Sequence, residues 1–123
     1  MANNPVNWFE IYVQDIDRAK QFYEAVLQVK LESLGNPELP MWSFPSNQES
    51  FGTSGALVQF PEKSSGINST IVYFSCKDCA QEAARVESAG GKIHRGKISI
   101  GPYGFIVLVL DTEGNMIGLH SMA

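Results

Sequence analysis

Alternating apolar and polar side chains mark Val6 to Val13 as a strand, with Phe9, Ile11 and Val13 on one face and Trp8, Glu10 and Tyr12 on the other. Asp15 follows as a helix N-cap, and Asp17 places negative charge in the first turn, where the helix dipole favours it. Ile16, Ala19, Tyr23, Val26 and Leu27 then recur at helical spacing and predict one buried stripe. The same pattern returns half a chain later. Thr70 to Cys76 alternates, with Val72, Phe74 and Cys76 on one face and Ile71, Tyr73 and Ser75 on the other. Asp78 is a second N-cap with Gln81 as its capping-box partner; Cys79, Ala83, Val86 and Ala89 form the second stripe, and Gly90-Gly91 stops the helix.

Short extended segments follow each helix. They are 30–34, 41–44 and 56–60 in the first half, and 92–94, 105–110 and 116–120 in the second. Residues 61–66 have linker chemistry, and the Gly of Asp111-Thr-Glu-Gly-Asn115 supplies the φ > 0 position of a hairpin turn. The expected architecture is α+β: one domain, 1–123, of two tandem β-α-β-β-β modules, 1–62 and 67–123. Helices cover one sheet face and leave a concave face free.

Composition narrows the function classes. The 123 residues carry a net charge of −4, and their nine Lys and Arg are scattered singly, which excludes the basic face that a nucleic-acid backbone requires. The longest apolar run, Phe105 to Leu110, is far below the roughly 18 residues a membrane span needs. The N-terminus lacks signal-peptide character, so the expected location is cytoplasmic. Two cysteines cannot make a disulfide framework.

Trp8 to Tyr23, including the FYEAVL stretch at Phe22 to Leu27, resembles the opening strand and helix of the vicinal oxygen chelate superfamily. Val86 to Gly91 is similar to the end of that family's second helix, and Asp111 to Asn115 with Ile117 to His120 to its closing hairpin. The superfamily holds glyoxalase I, extradiol dioxygenases and bleomycin-resistance proteins, and the branch resembled is its glyoxalase-related one. The resemblance implies two modules forming a curved half-barrel sheet, helices outside, and a homodimer. It also implies a divalent metal (Zn, Ni, Fe or Mn) held by His and Glu side chains from both modules. Carried over position by position, those ligands fall on Trp8, Gln59, Ile71 and Gly118. Three of these cannot bind a cation through a side chain, and Gln59 alone is a weak ligand. The expectation is therefore no metal cofactor.

Strand alternation instead places an aromatic cleft on the concave face. Trp8, Tyr12, Trp42, Gln59, Tyr73 and Tyr103 are the candidate ligand-binding residues, with Ser75, Met116 and Phe44 on the same face and Phe105 near the mouth. Glu10, between two aromatics, is a candidate general base, a partner for a cationic ligand group, or one half of a structural ion pair. His120 is a candidate acid/base group or an ordinary hydrogen-bonded histidine, and His94 reads as exposed. Cys76-Lys-Asp-Cys79 has redox or zinc half-site spacing but no second ligand pair, so both cysteines read as core. Three functions remain open: a metal-free small-molecule binding protein, a divalent-metal-dependent lyase, isomerase or dioxygenase with a site rebuilt from Glu10, Gln59 and His120, and a metal-free acid/base enzyme using Glu10. Loop 46–56 shapes the cleft in each.

Overall fold

The structure, a computed structural model, describes residues 6–35, 39–47, 49–61, 64–66 and 68–123. Glu62 and Lys63 of the expected linker, Gln48 of the expected cleft loop and residues 1–5 lie outside the described residues. The first module runs β1 (Phe9–Val13), α1 (Ile16–Leu27), β2 (Glu32–Ser33), β3 (Met41–Ser43) and β4 (Gly55–Gln59). The second runs β5 (Tyr73–Ser75), α2 (Cys79–Ala83), β6 (Lys92–Ser99), a 3-10 turn (Gly101–Tyr103), β7 (Phe105–Leu110) and β8 (Met116–Ser121). Each module is a four-stranded sheet in which the first strand pairs parallel with the last, in the orders β1-β4-β3-β2 and β5-β8-β7-β6. This is the expected pair of β-α-β-β-β units, with unclosed sheets.

Both aspartate caps form. Asp15 accepts from the Arg18 N–H and Asp78 from the Ala80 N–H. Gln81 is exposed and gives its backbone N–H to the Asp78 carbonyl, so the expected capping box is replaced. The Asp78 carboxylate meets Lys97 Nζ at 2.8 Å instead. Strand β6 extends well beyond the expected 92–94, with register shifts between Ile93 and Arg95 and between Arg95 and Ile98 that accommodate the irregular sequence.

Between the helices and the sheets lies one core, and its centre is aromatic. Tyr23 and Phe44 rings are 5.5 Å apart, Phe44 and Phe74 5.4 Å, and Phe9 and Phe74 5.9 Å. Phe22 joins this core beyond the expected stripe of α1. Fully burying a side chain of this size contributes about 1.5–3 kcal/mol. Cys79 is buried and Cys76 half-buried beside it, as expected; burial pushes the Cys76 thiol up to about 12, which keeps it protonated and unreactive.

Two aromatics expected on the open face belong to this side. Trp42 registers with Leu57 and therefore shares the core face, where Lys20 Nζ lies 3.7 Å from its ring centroid. Phe44 is buried outright. The reason is the shortness of β3: three residues beside loops give too little alternation to fix which face is which.

The modules are joined through the ends of α1. Arg85 Nε caps the Val26 carbonyl at its C-terminus. At its N-terminus, Glu113 from the β7–β8 turn accepts from the Gln14 and Asp15 N–H groups and pairs with Arg18 at 2.7 Å. Burial pushes the Glu113 carboxyl up, but these donors and the Thr112 hydroxyl more than offset it and hold it at about 2. Beneath it Tyr23 donates to Asp111 Oδ2 at 2.6 Å, and Asn115 bridges Asp111 to the Tyr12 carbonyl. Burial pushes Tyr23 well above its ordinary value and raises Asp111, whose four donors work against the shift.

Candidate functional site

Strand β1 carries the site because alternation puts Phe9, Ile11 and Val13 into the core and presents Trp8, Glu10 and Tyr12 on the opposite face. On that face the three side chains form one unit. Trp8 Nε1 donates to Glu10 Oε2 at 3.2 Å, and Tyr12 Oη donates to Glu10 Oε1 at 2.9 Å. The hydrogen bond to Glu10 raises the Tyr12 phenol above its ordinary value. Opposite Glu10 in the parallel ladder stands Ala56, whose single methyl leaves the space above it to the carboxylate and its donors.

A cavity lies on either side of this unit. The larger, about 490 Å³, is lined by Trp8, Asn7 and loop residues including Phe51, Ser54 and Thr53. The smaller, about 270 Å³, follows the seam between the modules and is lined by Glu10, Tyr12, Asn68, Thr70, Val72 and Met116 among others. Asn7, Asn68 and Thr70 were not expected to line the cleft. Asn7 and Thr70 fall in the ends of the expected strands that the structure leaves outside β1 and β5, and there alternation does not say what the chain faces.

The second module contributes a different surface. Tyr73 and His120 are on the open face of β5 and β8, as expected, and Tyr73 is half exposed. The 3-10 turn delivers the Tyr103 carbonyl to 2.6 Å from His120 Nε2. A carbonyl only accepts, so Nε2 carries the hydrogen of this bond. Gly104, at φ 106°, ends that turn where a Cβ would run into the Ser121 carbonyl. Tyr103 itself is highly exposed, and His94 is exposed on β6 as expected. Glu10 lines the seam cavity and His120 lines neither cavity, so the structure does not gather them into one pocket.

The four positions at which the family resemblance places metal ligands do not fit a divalent cation. Trp8 offers an indole N–H, already given to Glu10. Gln59, expected in the cleft, shares the core-side face with Val13 and accepts from the Ile16 N–H at 2.7 Å, which finishes the N-terminus of α1. Ile71 has no donor atom. At Gly118 the Tyr73 ring lies where a Cβ would project, so this position has no room for a ligating side chain. Among the described residues, no group of three or more His, Cys, Asp or Glu could hold a metal ion. Nor, among them, is any helix long and apolar enough to cross a membrane.

Comparison with solved structures shows the same fold. A hypothetical protein from S. aureus, SA1046, aligns over 98% of this chain and 95% of its own at 19% identity, with a TM-score of 0.73. TnmS3, an antibiotic binding protein from Streptomyces sp. CB03234, aligns over 100% and 99% at 24% identity, TM-score 0.73. Glyoxalase I from Zea mays aligns over 96% of this chain at 22% identity, TM-score 0.74, and this chain spans 46% of its length. No curated protein is matched by the sequence. A family model for the Glyoxalase/Bleomycin resistance protein/Dioxygenase superfamily matches residues 6–119, and with that match over nearly its whole length the chain belongs to this superfamily.

Proposed function

We propose that the chain binds a small organic molecule in the open face of its first module, without a resident metal ion. The observation that carries this reading is the Trp8–Glu10–Tyr12 unit, with one carboxylate held from both sides by aromatic donors between two cavities. Ligand sites are commonly concave, aromatic and furnished with a few convergent polar groups. The kinship with an antibiotic binding protein of almost equal length supports a holding role rather than a metal-assisted reaction. In this reading Trp8 and Tyr12 contact the ligand and Glu10 is its polar anchor, while Tyr73, Tyr103 and His120 belong to the second module's surface outside both cavities. The single domain 1–123, with modules 1–62 and 67–123, works as a cytoplasmic homodimer whose second copy completes the open face.

Thermal denaturation of the full chain against a panel of small aromatic compounds tests the binding reading. Compounds that raise the midpoint for the wild type and not for Trp8→Ala support it; no shift with any compound overturns it. Elemental analysis of protein purified without an affinity tag tests the metal-free part, which stoichiometric Zn, Ni, Fe or Mn would overturn. Light scattering at micromolar concentration reads the oligomeric state.

A further inference from the structure

We infer that the outer edge of β6 is a docking surface for an extended acidic segment of a protein partner, one that carries carboxylates on alternate residues. No residue of β6 lines either cavity, so this surface is independent of ligand binding on module one.

Charge is concentrated on this strand. β6 (Lys92–Ser99) carries three of the chain's nine Lys and Arg and none of its thirteen acidic residues. The rest of the chain is correspondingly acidic, and β6 is where a negatively charged partner is steered. Lys97 is already engaged, by the Asp78 carboxylate at 2.8 Å and by the Phe105 ring, 4.7 Å from its centroid. Lys92 and Arg95 are exposed, and among the described residues neither belongs to an ion pair. Two such cations are too few for a nucleic-acid backbone but suit a pair of carboxylates.

Strict alternation would send Lys92 and Arg95 to opposite faces of the sheet. The register shift between Ile93 and Arg95 reverses this, because Lys92 registers with Leu110 and Arg95 with Leu108. Leu108 and Leu110 alternate with the buried Val107 and Val109, so both cations stand on the open face. Two ladder steps separate them, about 7 Å along the strand. Carboxylates on every second residue of an extended chain share one face at that same spacing.

β6 is also the last strand in the order β5-β8-β7-β6, and among the described residues its outer backbone groups have no strand partner. A peptide added there gains backbone hydrogen bonds from the edge and opposite-charge pairs from the open face. A second copy of β6 is a poor occupant. Antiparallel pairing about a two-fold axis would set Lys92 and Arg95 against the same cations of the copy. The charges that guard the edge against self-pairing are therefore the ones that select an acidic chain.

Fluorescence anisotropy of the full chain with labelled heptapeptides tests this at low salt. One peptide has two Glu separated by a single Val in a background of Thr and Val; in the others the Glu are replaced by Gln or made adjacent. The alternating-Glu peptide should bind about tenfold more tightly than its Gln counterpart and about threefold more tightly than the adjacent-Glu one. Lys92→Ser and Arg95→Ser should each weaken it about fivefold, whereas Lys30→Ser, at an exposed cation outside β6, should leave it unchanged. Amide hydrogen exchange should show new protection along 92–99 in the complex. No binding of the alternating-Glu peptide at millimolar concentration would overturn the inference. So would affinity indifferent to Glu→Gln or to the two β6 variants, equal loss in Lys30→Ser, or no new protection along β6. Single-stranded DNA that binds as tightly would replace the acidic segment by a general polyanion, and self-association that the peptide competes away would assign the edge to a second copy.

Discussion

Both modules lay an aromatic ring over a glycine across their parallel strand pair, but on opposite faces. In module one Phe9 on β1 covers Gly55 on β4, facing the core; in module two Tyr73 on β5 covers Gly118 on β8, facing outward. The consequence is an asymmetry between two otherwise parallel units. Module one uses its aromatic for stability, which leaves the outer face over Ala56 to Glu10 and its donors. Module two spends its open face on a ring, which closes the place where a longer side chain at 118 would project. The binding face therefore belongs mainly to module one, although the element order is the same in both.

Adding a methyl group at each glycine tests this difference most directly. A Cβ at Gly55 would collide with the Phe9 backbone carbonyl as well as its ring, and backbone cannot move aside cheaply. Gly55→Ala is expected to destabilise the chain by about 3 kcal/mol in urea unfolding, the upper end of overpacking costs. The nearest atoms to a Cβ at Gly118 belong to the ring of Tyr73, a side chain that is 47% exposed rather than backbone. Gly118→Ala should cost about 1 kcal/mol, and Tyr73→Ala in the same chain should recover most of it. Equal costs at the two glycines would break the comparison.

The joint between the modules has its own signature, set by acid. Glu113 is held at about 2 in the folded chain, against an ordinary value of 4.5, so its contribution is present above 4.5 and is lost as pH falls toward 2. With Arg18 half exposed and the pair screened accordingly, the contribution is about 1–2 kcal/mol. Asp111 works in the opposite sense. Its carboxyl is raised by burial, so stability that it lends when protonated is lost as pH rises above the ordinary Asp range through its raised folded value. Urea unfolding from pH 6 to pH 3 should show wild-type stability falling and Glu113→Gln losing most of that slope. An unchanged slope would mean that Glu113 does not hold module two to α1.

How much of this was legible beforehand follows from element length. β1, α1 and β8 are long enough for period to declare a face, and their core and open residues stand where it puts them, whereas Phe105 of β7, expected near the cleft mouth, shares the core side with Val107 and Val109. Trp42 and Gln59 were misplaced for local reasons: three residues of β3 give no reliable phase, and β4 (Gly55–Gln59) is buried nearly throughout, so no polar alternation marks its faces. The hydrogen bonds of Trp8 and Tyr12 to Glu10 lie within reach of i, i+2 spacing on one face, yet only coordinates show that both donors turn inward. The cavity walls from Asn68, Thr70 and the 45–54 loop depend on where turns fold back, which no periodicity encodes.

The smallest stability effect is expected at an exposed hydrogen bond of the candidate site, from Tyr12 to Glu10. Tyr12 and Tyr23 each donate to a carboxylate, at 2.9 and 2.6 Å, and differ in that Tyr23 is buried and Tyr12 is at the surface. Removing the Tyr23 hydroxyl leaves Asp111 short of a donor away from water, whereas water replaces the Tyr12 hydroxyl at once. Tyr12→Phe should therefore change stability by less than about 0.5 kcal/mol, the usual range for surface substitutions. It should nevertheless weaken small-molecule binding a few-fold, because Glu10 would keep only the Trp8 bond to orient it. Calorimetry and urea unfolding on the same preparation decide this. If Tyr12→Phe loses stability and leaves binding untouched, the unit on β1 is a structural clasp, and the asymmetry between the modules has no bearing on ligands.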